Sequence, residues 1–152
     1  MSQDCAPFGV YSWNNVAFQI DGRQVVGLWE GDDVVTIEPS TELGTPVIGA
    51  DGSSIVSITA DQSAKMTVKL MPTSPFNAYL NNKVRKMRAG GLASSITFPV
   101  GFLDMSTGES GACTSAIITK IPDVSKGANA TERVWELFCP CWVPSEVQIG
   151  QA

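Results

Sequence analysis

The side chains that carry most biochemistry are few in this chain, and their spacing limits what they can do. Four cysteines, Cys5, Cys113, Cys139 and Cys141, stand in a 152-residue sequence with no histidine. Cys139-Pro140-Cys141 has C-x-C spacing, not the C-x-x-C of redox proteins and zinc knuckles. A zinc site would therefore need all four thiols to converge. Reduced, metal-free thiols packed as small apolar side chains are the simpler expectation. Without histidine the commonest general acid–base is missing. No G-x-S-x-G or cysteine-protease motif offers a nucleophile with a base beside it. Gly90-Gly91 precedes a strand-like run, so it cannot open a helix as a phosphate loop. Adjacent Asp32 and Asp33 could hold a cation, but they read more simply as solvated turn residues. Lys83, Arg85, Lys86 and Arg88 could contact phosphate; the better reading is charge complementing a helix C-terminus. Asn129-Ala130-Thr131 fits the glycosylation acceptor pattern, which carries meaning only in a secreted chain. Neither catalysis nor a cofactor is expected.

The totals agree. A chain of this length is expected to be one domain, 1–152, burying about 70% of its unfolded surface. Charged residues are 16% of the sequence and the net charge is −5, against roughly 25% charged in an ordinary soluble domain. An acidic balance argues against a sequence-reading nucleic-acid face, and low charge with 43% hydrophobic residues suits a surface partly covered by other subunits. No basic n-region or apolar run follows Met1 and no stretch approaches 18 apolar residues. Neither a signal peptide nor a membrane span is expected, and synthesis in the cytosol is.

The elements that would position any site centre on residues 64–91. Met66, Val68 and Leu70 alternate with Lys65, Thr67 and Lys69, the period of a half-buried strand. Ser74 then serves as N-cap and Pro75 as first helical residue. Phe76, Leu80, Val84 and Met87 form one apolar stripe, and Gly90 ends the helix. Around it, residues 16–20 and 25–29 alternate about Asp21-Gly22, a type I′ hairpin signal. A third strand over 34–38 completes an expected β-meander. Strands are expected over 55–60, 65–71, 95–102, 113–121 and 133–138, with Pro99 marking an edge or a bulge and 104–111 a turn. Residues 1–15 are either a frayed terminus or an N-terminal arm whose Phe8, Tyr11 and Trp13 suit docking on this subunit or a neighbour. Residues 39–53 have no period, and their prolines and glycines exclude a regular element in the middle. Their length, with apolar Leu43, Val47 and Ile48, marks an extended loop or ribbon seeking a partner surface. The sum is a mainly β (α+β) chain: a β-barrel or sandwich of about eight strands with one flanking α-helix.

Three stretches resemble the tail tube proteins of contractile-tailed bacteriophages: Gly31-Asp32-Asp33-Val34-Val35-Thr36-Ile37-Glu38, the Gly49-Ala50-Asp51-Gly52 turn, and the run from Thr67 to Leu80 with Thr73-Ser74-Pro75, Asn77 and Leu80. The late run RVWELFCPCWVPSE belongs to the same likeness, which covers about Val16 to Val147. The longer N-terminal arm and the Cys-Pro-Cys pair depart from it.

The resemblance implies a barrel or sandwich with a flanking helix and hexameric rings stacked into a virion tail tube that conducts phage DNA, similar to type VI secretion and bacteriocin tubes. It implies tail sheath, baseplate and tail-terminator proteins as partners, with no cofactor, no metal and no membrane. It also implies that Thr41, Glu42, Leu43, Gly44, Thr45, Pro46, Val47 and Ile48 contact an adjacent subunit. An acidic lumen would let DNA slide past. The alternative is a non-viral cytosolic β-barrel that binds a small ligand.

Overall fold

The computed structural model describes residues 8–90, 92 and 96–146; the readings made for Cys5, Gly91 and Ser95 lie outside them. In chain order the strands are β1 (Val16–Ile20), β2 (Arg23–Gln24), β3 (Val35–Pro39), β4 (Gly44–Ile48), β5 (Ser54–Ile58) and β6 (Ala64–Leu70). Helix α1 (Pro75–Arg88) follows, then β7 (Phe98–Asp104), β8 (Glu109–Lys120), β9 (Arg133–Cys139) and β10 (Val143–Glu146).

Period-2 burial makes the core. Ala64, Met66, Val68 and Leu70 of β6 and Trp135, Leu137 and Cys139 of β9 turn inward, meeting Phe18, Ile20, Phe98 and Val100 from β1 and β7. All pairings are antiparallel, in the order β2-β1-β7-β8-β9-β6-β3, with β10 also on β8. Strand β8 is shared. Its first half pairs with β7 and β10, and its second half, from Ile117, with β9. The sheet folds over on that strand into a β-sandwich with one flanking helix, the sandwich side of the barrel-or-sandwich expectation, with ten strands among the described residues where about eight were expected.

The helix is where its local signals put it. Ser74 Oγ accepts from the Phe76 N–H at 3.3 Å and donates to the Val26 carbonyl at 2.7 Å. Phe76, Leu80 and Val84 are buried, and Met87 packs at the margin of the core. Asp21 and Gly22 both have positive φ, 55° and 75°, as a type I′ turn requires. Pro99 marks a bulge and not an edge: β7 lies between β1 and β8, and the register with β8 shifts between Phe98 and Val100.

Four readings need correction. No meander forms, because β3 pairs with β6 and not with β2. Residues 25–29 are not a paired strand: Gly27 turns at φ +73°, and only an isolated Leu28–Leu70 bridge remains. Any Cβ on Gly27 would stand 2.8 Å from that of Ser74, so the close approach of this segment to the helix start requires glycine. Residues 109–111 belong to β8 and not to a turn, since Glu109, Ser110 and Gly111 pair with β10. Residues 39–53 do contain a regular element, β4, which pairs with β5. Pro46 is tolerated there because a two-stranded ribbon leaves outer edges where a missing N–H disrupts no ladder.

Candidate assembly interface

The expected contact residues form the rising half of a hairpin that stands out from the sandwich. Strand β3 leads into β4 and β5 leads into β6, so two paired strands leave the sheet together. Their base is stapled. Thr41 Oγ1 donates to Asp61 Oδ2 at 3.1 Å, the Ser63 N–H donates to Asp61 Oδ1 at 2.9 Å, and the Ser40 N–H donates to the Ser63 carbonyl at 3.0 Å. Ser63, contributing most, and Thr41 hold the Asp61 carboxyl below its ordinary range. Above the staple the Thr59 N–H donates to the Leu43 carbonyl at 3.0 Å. The ribbon then pairs Gly44 with Ile58, Thr45 with Ser57, Pro46 with Val56, Val47 with Ile55 and Ile48 with Ser54.

The tip is the Gly49-Ala50-Asp51-Gly52 turn. Asp51 Oδ1 accepts from the Ser53 N–H at 3.0 Å, which also lowers the Asp51 pKa, and Gly52 adopts φ +90°.

Directly paired residues share a face. Pro46, Ile48, Val56 and Ile58 therefore line one side, and Val47 and Ile55 the other with Thr45 and Ser57. Leu43, Val47, Ile48, Ile55, Val56 and Ile58 are 53–74% exposed. A hairpin buried on one face shows apolar residues on that face only. This one is apolar on both and exposed on both. Glu42 is exposed beside Leu43 at the base. Sequence reasoning read residues 39–53 as an extended loop or ribbon without a regular element in its middle and residues 55–60 as a strand; the structure pairs the two stretches with each other as β4 and β5. The missed signal is that Ile55, Val56 and Ile58 are apolar in both phases of the alternation, which a strand with one solvated face avoids.

The chemistry-bearing residues stand apart from this ribbon. Cys113 and Cys139 are buried in the core, while Cys141 is exposed with its Sγ 3.3 Å from Gln62 Oε1. Burial, and then the neighbouring Cys113 thiol, push the Cys139 thiol up to about 12. Among the described residues no cluster of cysteine, aspartate or glutamate could hold a metal. Asp33 accepts from Lys69 Nζ at 3.0 Å, and this bond holds its carboxyl low; Asp32 is an exposed turn residue. On α1, Arg85, Lys86 and Arg88 face outward, whereas Lys83 brings its ammonium within 5.9 Å of the Tyr79 and Phe98 ring centres. Of the arm, Phe8 and Tyr11 are exposed, while Asn15 is fastened through its carbonyl to the Met105 N–H at 3.0 Å.

The fold is shared with proteins of contractile injection machines. A chain of the anti-feeding prophage cap, a tube-terminating cap, superposes with a TM-score of 0.63 at 8% identity, covering 95% of this chain and 97% of that one. A chain of the sheath–tube complex of the PVC extracellular contractile injection system, in its extended state, superposes at 0.59 with 11% identity and 93% coverage of both. A chain of the sheath/tube terminator of that system superposes at 0.56 with 11% identity, covering 94% and 99%. No curated protein sequence matches the chain. A family profile described as the bacteriophage PhiTE tail tube protein matches residues 9–141. A sandwich shared with tube, cap and terminator chains, and a family match over nearly its whole length, give one conclusion: the chain belongs to the bacteriophage PhiTE tail tube protein family.

Proposed function

We propose that this protein is the repeating subunit of a tail tube, assembled as hexameric rings that stack into a virion tail conducting phage DNA during ejection. The observation that carries the reading is the β4–β5 hairpin. It is apolar on both faces, stapled at its base by Asp61, and uncovered by the rest of its own chain. We read Thr41, Glu42, Leu43, Gly44, Thr45, Pro46, Val47 and Ile48 as the strand of that arm that meets an adjacent subunit and couples one ring to the next. Burying six large apolar side chains offsets the cost of ordering the contact. The chain acts as one domain, with residues 1–15 as an N-terminal arm.

The neighbouring folds come from a sheath–tube complex, a terminator and a cap, which supports a sheath outside the tube and a terminator at its end. A baseplate completes the partner set. The net charge of −5 suits a lumen through which DNA passes without sticking, because fixed negative charge repels phosphate. Within a ring, heterologous contacts close on themselves and remove free sheet edges; β3, β2 and β10 are edges available for that closure.

The test is electron microscopy of the purified protein at rising concentration. Rings and tubes with sixfold end views support the reading; a species that stays monomeric at every concentration, with no tubes in co-expressed particles, overturns it.

A further inference from the structure

We propose that the basic end of α1 docks into an aromatic, acidic groove at the opposite end of the same helix on a second copy of this chain. This contact rests on the tube reading above and adds a charged joint to it.

The cations come first. Arg23 lies over the Tyr79 ring, Lys69 is paired with Asp33, Lys65 and Lys120 share Glu136, and the Arg133 guanidinium is consumed by the Thr131 and Glu132 carbonyls. Arg85, Lys86 and Arg88 differ. They are exposed in the last turns of the helix and have no carboxylate partner among the described residues. On a chain of net charge −5 this is the concentrated patch of the opposite sign.

The groove lies beside the helix start. A cleft of about 780 Å³ runs along residues 25–32 and is lined by Tyr11, Trp13, Trp29, Glu30, Asp32 and Met71. Its floor is tied to the helix N-cap, since Ser74 Oγ donates to the Val26 carbonyl at 2.7 Å. Trp13 and Met71 are about two-fifths exposed and Tyr11 more so. Glu30 and Asp32 are exposed and, among the described residues, unpaired. Aromatic faces beside carboxylates fit a guanidinium, which stacks on the ring while its N–H groups meet the acid.

One chain cannot join the two. Ser74 and Arg85 are separated by roughly 16 Å of helix at 1.5 Å per residue, farther than one side chain reaches. Two copies in line can. The subunit carries acid at one end of its helix and base at the other, and such a pair of unlike surfaces joins head to tail without using itself up. Copies of net charge −5 repel one another, so an oriented approach requires a local match of this kind.

The experiment compares three proteins: the wild type, R85E/K86E/R88E and E30K/D32K. The neutral R85Q/K86Q/R88Q serves as a second basic-patch variant in case reversal weakens the helix end, and circular dichroism checks that each is folded. Each reversal is expected to raise the concentration needed for assembly by about tenfold, the effect of losing two or three partly exposed pairs. In a mixture of the two reversed proteins, alternating copies meet opposite charge at every joint (acidic end on basic groove, then basic end on acidic groove), so the mixture assembles below the concentration of either alone. Carbodiimide treatment of mixed ¹⁴N- and ¹⁵N-labelled wild type should join Lys86 of one copy to Glu30 or Asp32 of another. Wild-type tubes whose assembly no reversal changes, with no such cross-link, overturn the contact and leave the tube reading standing. Reversals that abolish binding to heparin while assembly is unchanged overturn it in favour of a different acidic partner. A wild type that never exceeds one chain overturns both.

Discussion

The indole N–H of Trp135 donates to Asn77 Oδ1 at 2.9 Å, and Asn77 Nδ2 donates in turn to the Met71 carbonyl at 2.7 Å. One amide thus ties the helix to the middle of β9 and to the chain that enters the helix from β6. Trp135 is 1% exposed, so its donor has no water to fall back on. Asn77→Ala should cost about 1–3 kcal/mol by leaving that N–H unpaired, read as a lower urea midpoint with an unchanged slope.

Leu80 is fully buried at the centre of the helix stripe. Leu80→Ala should lose about 2–5 kcal/mol through lost transfer energy and the cavity left behind. Arg85→Ala, on the outward face, should move the same midpoint little. A small effect at Leu80 would mean the stripe does not carry the packing of the helix on the sheet.

Replacing residues 44–58 by a short Gly/Ser turn should leave the sandwich folded, because the Asp61 staple lies below the cut and β4 and β5 supply nothing to the core. The same variant should form no tubes. Electron microscopy beside a thermal melt separates the two effects, and tubes as abundant as the wild type's would remove the hairpin as a stacking element.

Tyr79 donates to Asp21, and burial, then this bond, raise its pKa to about 12. The folded state therefore holds the phenolic proton more tightly than the unfolded chain, whose tyrosine titrates near 10. The stabilisation is complete below pH 10 and is lost as pH rises from about 10 to 12. Unfolding midpoints measured across that window should fall more steeply for the wild type than for Tyr79→Phe.

At pH 8 iodoacetamide should modify Cys141 quickly and spare Cys113 and Cys139 until the protein is unfolded, since attack needs an accessible thiolate. Peptide mapping reads this directly. Rapid modification of Cys139 in folded protein would contradict its burial.

What was legible in the sequence was local. Ser74, Pro75 and the stripe from Phe76 to Met87 need only neighbours within a few residues to specify a helix, and Asp21-Gly22 specifies its own turn. Pairing is not local, and there the reading failed. Val35–Pro39 carries nothing that names β6 as its partner over β2. Val143–Glu146 pairs with β8 as an edge strand in spite of Pro144, a residue that argues against a strand when only the sequence is read. At the candidate interface, apolar character and length marked residues 39–53, but Pro46 and the flanking glycines hid β4. Its partner, residues 54–58, read as a strand, but an apolar strand that stands clear of the sheet has the same composition as one inside it.

The continuity of β3 with β4 and of β5 with β6 makes the arm a lever whose handle is rooted in the sheet. Strand β6 lies between β3 and β9, with hydrogen-bonded registers on both sides. A pull applied at the Gly49–Gly52 tip along the ribbon runs down its two strands and loads those ladders lengthwise, so many backbone bonds share the force at once and do not open one after another. Force applied at the tip is thereby delivered to Met66, Val68 and Trp135, which are buried at the centre of the molecule.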